Sequence, residues 1–449
     1  MTHMVGANDE LLVRDQAHLI HPLHDESVHR HARIWVKGKG ALVTDADGRE
    51  FIDGLSGLWN VTAGHSRHEL AEAMRNQAAT LAYASSYSGS SNSLAIKLAE
   101  RLSAICYPSI NHFFFTCGGS EATESSIKMA RSYWKLRGKP HKTKVISRTE
   151  SYHGLTLAAM SATGMNQYWP QFEPRIPGFL HIPSPNPYRY AAPTGERQGI
   201  AAANELEKAI LGEDPDTVAM FIAEPVQGAG GVIVPPDDYF PRIREICDRY
   251  EVLLVADEVV TGFSRTGTMF ALEHWGIEPD IMQFAKGITS GYFPLGGIGI
   301  NDTIFETIRE DGHPWMHAYT YSAHPVGCAV ALQTLQIIEN EHFPEQAASK
   351  GHYLSGALRA ALAEHPSVGD IRGKGLMCAV ELVEDRATKK PYPVDQMIGA
   401  KVNHEAVARG LFSRIKGDIY LLAPPIVITT EQLDRAVDIL AESIKAVLP

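Results

Sequence analysis

Cysteine is scarce, and the five present (Cys106, Cys117, Cys247, Cys328, Cys378) are odd in number, scattered and without a CxxC pair. That usage argues against a disulfide framework and fits a reducing cytoplasm. Basic residues are not in excess either. The formal net charge is −11 and no basic block interrupts the chain, which speaks against nucleic acid or an anionic membrane as partner. No apolar run reaches the ~20 residues that cross a bilayer, and the polar N-terminal stretch has no signal-peptide core, so a soluble cytoplasmic protein is expected. HExxH, GxSxG and kinase signatures are missing. Histidines are plentiful, with a cluster at His18, His21, His24, His29 and His31, but the helical or hairpin spacing and partners of a metal site are not there. The cluster reads as a polar N-terminal segment suited to a dimer interface, and no metal is expected.

What is present is an ordinary globular composition, 44% hydrophobic and 21% charged, in a chain of 449 residues. That length supports two or three domains and a large core without staples. Helices and strands alternate without internal repeats. ALVTDADGREFIDG reads as two short strands around the turn at Asp47–Gly48. Helical periodicity covers about Glu69 to Leu81 and Leu94 to Ile105. HFFFT (from His112), KVISR (from Lys144), VAMFIAEP (from Val218) and VLLVADE (from Val252) read as core strands. Such near-continuous apolar runs suit a mostly parallel sheet covered by helices on both faces. Pro174 to Gly199, rich in proline and aromatics, is expected to wander over the surface. Long helical patterns and a strand-like GLMCAVELV (from Gly375) follow Val330, a second and smaller α/β region.

Two residues stand out chemically. LLVADEVVTGFSRTG places Asp257 at the end of an apolar strand, and FAKGITSGYFPLGG places Lys286 in a glycine-flanked turn. An open α/β sheet binds ligands at its strand carboxyl ends, where Asp257 falls. An acid and an amine so related suggest pyridoxal phosphate (PLP) chemistry. The lysine would hold the aldehyde as a Schiff base, and the carboxylate would keep the pyridine nitrogen protonated. Lys286 must be neutral to act, and burial lowers an amine's pKa. Taken alone, Asp257 is equally a loop or cap residue and Lys286 a surface charge. FTCGGSEATESSIKMAR is a strand, a glycine turn and a helix beginning near Ser120. Gly118 and Gly119 let backbone amides approach an anion, aided by the helix terminus. The plain alternative is a Ser120 N-cap, with Glu121 and Glu124 complementing the helix dipole. GK[ST] and the dinucleotide spacing are both missing, so a monophosphate cup is the better reading.

DGLSGLWN, FTCGGSEATESSIKMAR, SYHG, FIAEPVQGAGGVIVPP, LLVADEVVTGFSRTG, FAKGITSGY, TYSAHP and GLFSRIKGDIYLLAPP occur in the order found in class III, fold type I PLP-dependent aminotransferases, which the chain resembles along nearly its whole length. The resemblance implies a large PLP-binding domain over residues 61–330. It implies a smaller α/β domain built from both termini, residues 1–60 and 331–449. It makes Lys286 the Schiff-base lysine and proton shuttle, and Asp257 the partner of the pyridinium nitrogen. Tyr152 stacks on one ring face and Val259 packs on the other. Gly118, Gly119 and Ser120 form the phosphate cup, Thr320 of a partner subunit assists, and Glu224 and His153 adjoin the cofactor. Tyr152 equally suits a core aromatic, and His153 either supports the stack or is a structural histidine. A homodimer or dimer of dimers with shared active sites is implied.

Val260 and Ala229 stand where ornithine- and GABA-type branches usually carry Gln and Glu. Both departures resemble the ω-amino acid:pyruvate and amine:pyruvate transaminases. In that group the residue matching Arg414 grips the acceptor carboxylate and swings out for an uncharged amine, a task suited to a bidentate guanidinium. Trp59, Tyr87 of the partner, Tyr152 and Ala229 would wall an aromatic slot. Trp59 also suits ordinary core, and Tyr87 a flexible serine-rich loop. Two motif positions depart from the common pattern: Ser264 replaces a glycine, and Gly118 replaces a hydroxyl residue that often touches phosphate. The implied reaction moves an amino group from a donor (β-alanine, taurine, putrescine, 4-aminobutyrate or an aryl-alkyl amine) to a keto acid, pyruvate, through pyridoxamine phosphate. An aminomutase or decarboxylase on the same cofactor, or a non-catalytic relative, are the alternatives.

Overall fold

The computed structural model describes residues 7–87 and 89–448. Its centre is a seven-stranded sheet in the order Ile110–Thr116, Gly296–Asn301, Ile281–Phe284, Leu253–Asp257, Val218–Ala223, Lys144–Arg148, Phe179–Ile182. Five consecutive strands of that order, from Ile281–Phe284 to Phe179–Ile182, pair in parallel, and Gly296–Asn301 runs antiparallel to both of its neighbours. Every residue of Val218–Ala223 and of Leu253–Asp257 is buried, as expected of strands with helices on both faces. Burying a side chain such as Phe221 or Ile222 contributes about 1.5–3 kcal/mol, so a polar replacement there would undermine the sheet.

Two four-stranded sheets flank the large one. The first pairs Trp35–Lys39, Leu42–Asp45 and Glu50–Asp53 antiparallel, and Leu411–Phe412 joins its edge in parallel. The second is antiparallel throughout: Val368–Lys374, Met377–Leu382, Ile419–Leu422, Arg414–Lys416. The first of these sheets therefore draws on strands from both ends of the chain. Helices Phe343–Leu362, Ile398–Ala408 and Thr430–Val447 pack alongside these sheets. No helix among the described residues is long and apolar enough to cross a membrane.

The expected elements are present with small boundary shifts: helices at His68–Thr80 and Ser93–Ile105, and a hairpin across Asp47–Gly48. Three strands of the large sheet escaped the sequence reading, Phe179–Ile182, Ile281–Phe284 and Gly296–Asn301, as did several short strands of the two smaller sheets. Pro174 to Gly199 is not merely a surface excursion, because Phe179–Ile182 pairs in parallel with Lys144–Arg148 at the sheet edge. Four residues are too few to show a period, and their partner is remote in sequence. Gly296–Asn301 reads GGIGIN, a poor strand by propensity. Its glycines are demanded by neighbours: a Cβ on Gly297 would come within 2.6 Å of the Phe284 ring.

The arrangement explains where chemistry can occur. Asp257, Glu224, the Lys286 turn, the Cys117–Gly119 turn and the Tyr152–His153 turn all follow carboxyl ends of parallel-running strands. Residues more than 160 positions apart thus reach one edge of the sheet.

Candidate active site

At that edge lies a cavity of about 350 Å³ lined by Gly118, Gly119, Ser120, Tyr152, His153, Glu224, Asp257, Val259 and Lys286, among others. Lys286 opens a short 3-10 turn with φ +46, a left-handed conformation that is costly for a residue with a Cβ. Burial lowers the pKa of its amine, opposed by Asp257 and Glu224 and reinforced by Arg414.

Asp257 is 3% exposed. Its Oδ2 lies 2.7 Å from His153 Nδ1, and its Oδ1 accepts from the Val259 amide at 3.1 Å. Since a carboxylate accepts, Nδ1 donates, so His153 braces Asp257. Thr123 holds the same loop to the cup helix, its hydroxyl donating to the His153 carbonyl at 2.7 Å. Glu224 fixes the neighbouring backbone, Oε1 accepting from the Tyr152 amide and Oε2 from the Gly228 amide, each at 2.9 Å. Burial pushes its carboxyl pKa up, and does the same to the Tyr152 phenol.

The helix Gly119–Leu136 begins at the cavity with Gly118 as its cap residue and no side-chain cap. Ser120 is therefore not the cap. It sits one residue inside the helix, and its hydroxyl accepts from the Leu155 amide at 3.4 Å. First-turn amides without a side-chain acceptor suit an anion. The cup is tight: a Cβ on Gly119 would stand 2.9 Å from Val259 Cγ1, and one on Gly154 would meet Ser120, with its Cα 2.8 Å away. An amine of lowered pKa, a buried carboxylate and an uncapped helix start fit the aldehyde, pyridine nitrogen and phosphate of PLP.

A second cavity, about 380 Å³, shares Leu58, Tyr152, Glu224, Val260 and Lys286 with the first and adds Trp59, Ala229 and Arg414. Trp59 is 4% exposed and has φ +64, after Ser56 and Gly57, also at positive φ. This strained loop is held at several points. Asp53 accepts from the Leu55 and Gly57 amides, at 3.2 and 2.7 Å. Arg265, fully buried, donates to Ser56 Oγ at 2.9 Å and to the Pro424 carbonyl at 2.6 Å. Three separated motifs thus meet to place one tryptophan.

Tyr87 and Thr320 line neither cavity. Both are exposed, and their segments lie side by side: Tyr83 donates to the Thr320 carbonyl at 2.8 Å, and Ser86 to the Ser322 carbonyl at 3.5 Å. Sequence reasoning missed Tyr168, Pro22 and Leu23, which also wall the second cavity. Tyr168 belongs to a short 3-10 turn with no period to betray it. Pro22 and Leu23 hide inside the histidine-rich segment, where an apolar pair between His21 and His24 was the only signal. Around them the His21, His24 and His29 rings stack at 4.2–5.9 Å. The departing Ser264 has φ +80 and is buried.

The class-III aminotransferase family model matches residues 24–444. A putrescine–pyruvate aminotransferase of Pseudomonas aeruginosa is 40% identical over 90% of this chain and 89% of its own length. A diaminobutyrate–2-oxoglutarate transaminase of Halomonas elongata is 40% identical over 90% and 88%. The crystal structure of an (S)-enantioselective omega-transaminase from Thermomicrobium roseum superposes with a TM-score of 0.94 at 45% identity, covering 98% of both chains. With a matching model over most of its length, a fold shared with omega-transaminases and an aldehyde-, phosphate- and pyridine-ready cavity, this chain belongs to the class III aminotransferases, enzymes that depend on PLP.

Proposed function

We propose that this aminotransferase takes its amino group from an ω-amino acid or an uncharged amine and delivers it to pyruvate. The observation carrying this reading is the junction of the two cavities. Lys286 faces both, and the far wall of the second is Arg414, a guanidinium with no carboxylate in ion-pair range among the described residues. Relatives divide on the acceptor, one named for pyruvate and another for 2-oxoglutarate. Val260 and the small Ala229 favour the pyruvate branch.

When bound, PLP would supply an aldehyde carbon to receive the amino group and a ring to hold the electrons of the broken C–H bond. The chain's own residues do the rest. Lys286, kept neutral over a wider pH range by burial, removes the proton from the donor carbon and returns it across a short distance. Asp257 accepts from the ring N–H, held in position by His153. The amides of Gly119 and Ser120 bind the phosphate, while Tyr152 and Val259 contact the two ring faces. Gly118 brings no hydroxyl of its own to the cup, and Glu224 fixes the Tyr152 loop. Trp59 and Ala229 wall the donor slot. Arg414 binds the pyruvate carboxylate as a bidentate donor and turns aside for an uncharged tail. Thr320 and Tyr87, exposed on one patch, would complete the phosphate and donor sites of a second subunit, making the working unit a homodimer or a dimer of dimers.

The test is the visible absorbance of the holoenzyme as single donors are added without acceptor. Bleaching by donor and recovery with pyruvate is the expected result. Recovery with 2-oxoglutarate alone would replace the acceptor, and an absorbance unmoved by every donor would overturn the reading.

A further inference from the structure

Arg414 is a wall common to two cavities. Beside the donor slot lies a chamber of about 230 Å³ that shares Trp59, Tyr168, Ala229 and Arg414 with it. Met165 and Leu421 give this chamber apolar lining, and Gln167 and Lys416 give it polar lining. No acidic residue lines it. Lys416 is held by Glu150, which stands outside the lining, whereas Arg414 has no carboxylate partner among the described residues. The chamber therefore carries net positive charge and adjoins, through the residues it shares, the donor slot that Lys286 lines.

The structure assigns this chamber as a subsite for the terminal carboxylate of a long donor, an ω-amino acid whose methylene chain lies along Met165 and Leu421 and whose acid group meets Lys416 and Arg414. Once Arg414 turns aside for a tail, the tail has space to continue. An apolar wall suits methylenes, and the cationic end suits an anion. A distal ammonium would meet two cations whose one acidic neighbour, Glu150, is already paired with Lys416, a juxtaposition that disfavours α,ω-diamines. Donor preference here thus departs from that of the relative named for putrescine. The assignment rests on the proposed roles of Lys286 and Arg414, and extends them to a substrate class. Lys416 is the specificity-determining residue, since Arg414 serves short and long acids alike.

The experiment compares ε-aminocaproate, hexylamine and hexamethylenediamine as donors to pyruvate in the wild-type holoenzyme and in K416M, K416E and E150Q. A charge-assisted contact at a partly exposed site predicts a roughly fivefold to tenfold fall in the ε-aminocaproate to hexylamine ratio of kcat/KM for K416M. K416E should shift preference toward the diamine, and E150Q, which frees Lys416, should shift it toward the acid. Alongside, calorimetry measures hexanoate binding to the borohydride-reduced holoenzyme, in which Lys286 no longer reacts. Affinity should fall in K416M by a similar factor and rise in E150Q. Unchanged ratios and affinities across these variants overturn the subsite. If no donor is turned over by the wild type, the transaminase reading fails, while the hexanoate affinities still decide the chamber.

Discussion

Replacing Ser264 by glycine should make the protein more stable, the reverse of the usual effect of adding a glycine. Ser264 has φ +80, in the left-handed region, where a Cβ costs about 1–2 kcal/mol. Its side chain is fully buried, and the hydroxyl has no hydrogen-bond partner, a further cost of about 1–3 kcal/mol. Its backbone is otherwise well used: the amide donates to the Met269 carbonyl at 3.3 Å, and the carbonyl accepts from Gly267 at 3.0 Å. Both bonds survive the substitution. Against these gains stand about 0.4–1 kcal/mol of added unfolded-chain freedom and roughly 1 kcal/mol for lost packing of one small side chain. The balance is about 1–2 kcal/mol in favour of glycine. At about 2.1 cal/mol/K of unfolding entropy per residue, a chain of this length should melt about 1–2 °C higher. Scanning calorimetry of both apoproteins at one concentration and scan rate reads the shift. A lower melting temperature for Ser264→Gly would refute the reasoning, showing that the hydroxyl is satisfied, for instance by an internal water, or that the turn needs its Cβ.

Gly118→Ser should hold PLP more tightly. Gly118 has an extended backbone that any residue adopts, nothing stands within 4 Å of its Cβ position, and the residue lines the cup, so a restored hydroxyl can reach the phosphate. About tenfold slower cofactor release on dialysis is expected from one charge-assisted hydrogen bond. Gly154→Ala should do the opposite. With φ +116 and Ser120 in the way of a Cβ, the variant should lose about 3 kcal/mol of stability, seen in urea unfolding, and retain PLP poorly. Acid should destabilise the fold through buried histidines. Burial, aided by Arg175, lowers His181 from its ordinary 6.5 to about 4. The unfolded chain then binds the extra proton first, so the stability this histidine contributes is complete above pH 6.5 and is lost as the pH falls toward 4, by up to about 3 kcal/mol. Melting temperatures between pH 7 and pH 4.5 should fall less steeply in His181→Gln, and parallel curves would count against this account.

The candidate residues were legible because chemistry constrains residue type locally. An acid must end a strand, an amine must sit in a turn, and glycines must precede a helix that receives an anion. Each of these leaves a pattern within some fifteen residues, which is why Asp257, Lys286 and the Gly118–Ser120 turn could be picked out as candidates that the structure brings to one cavity, and why the buried apolar runs announced a parallel sheet. The family blocks extended this to Tyr152, Trp59 and Arg414. Their plain alternatives could not be dismissed from spacing alone. Nor could spacing tell that Ser120 lies one residue inside the helix instead of capping it.

Only the tertiary structure decided what depends on residues far apart in the chain. His153 became a support for Asp257 because the loop after one strand bends over the end of another, where a 2.7 Å contact forms. Trp59 holds a left-handed backbone because Asp53, Arg265 and Pro424 converge on its loop. Gly296–Asn301 is a strand because it pairs with a neighbour on each side, and Gly297 is glycine because Phe284 and Phe114 leave no room for a Cβ there. Tyr168, Pro22, Leu23 and Lys416 became cavity walls through packing between separate segments, and no local period encodes that. A sequence specifies reacting groups through local rules of strand, turn and helix end. The shape and charge of the space around them are sums over distant contacts, which exist only once the chain has folded.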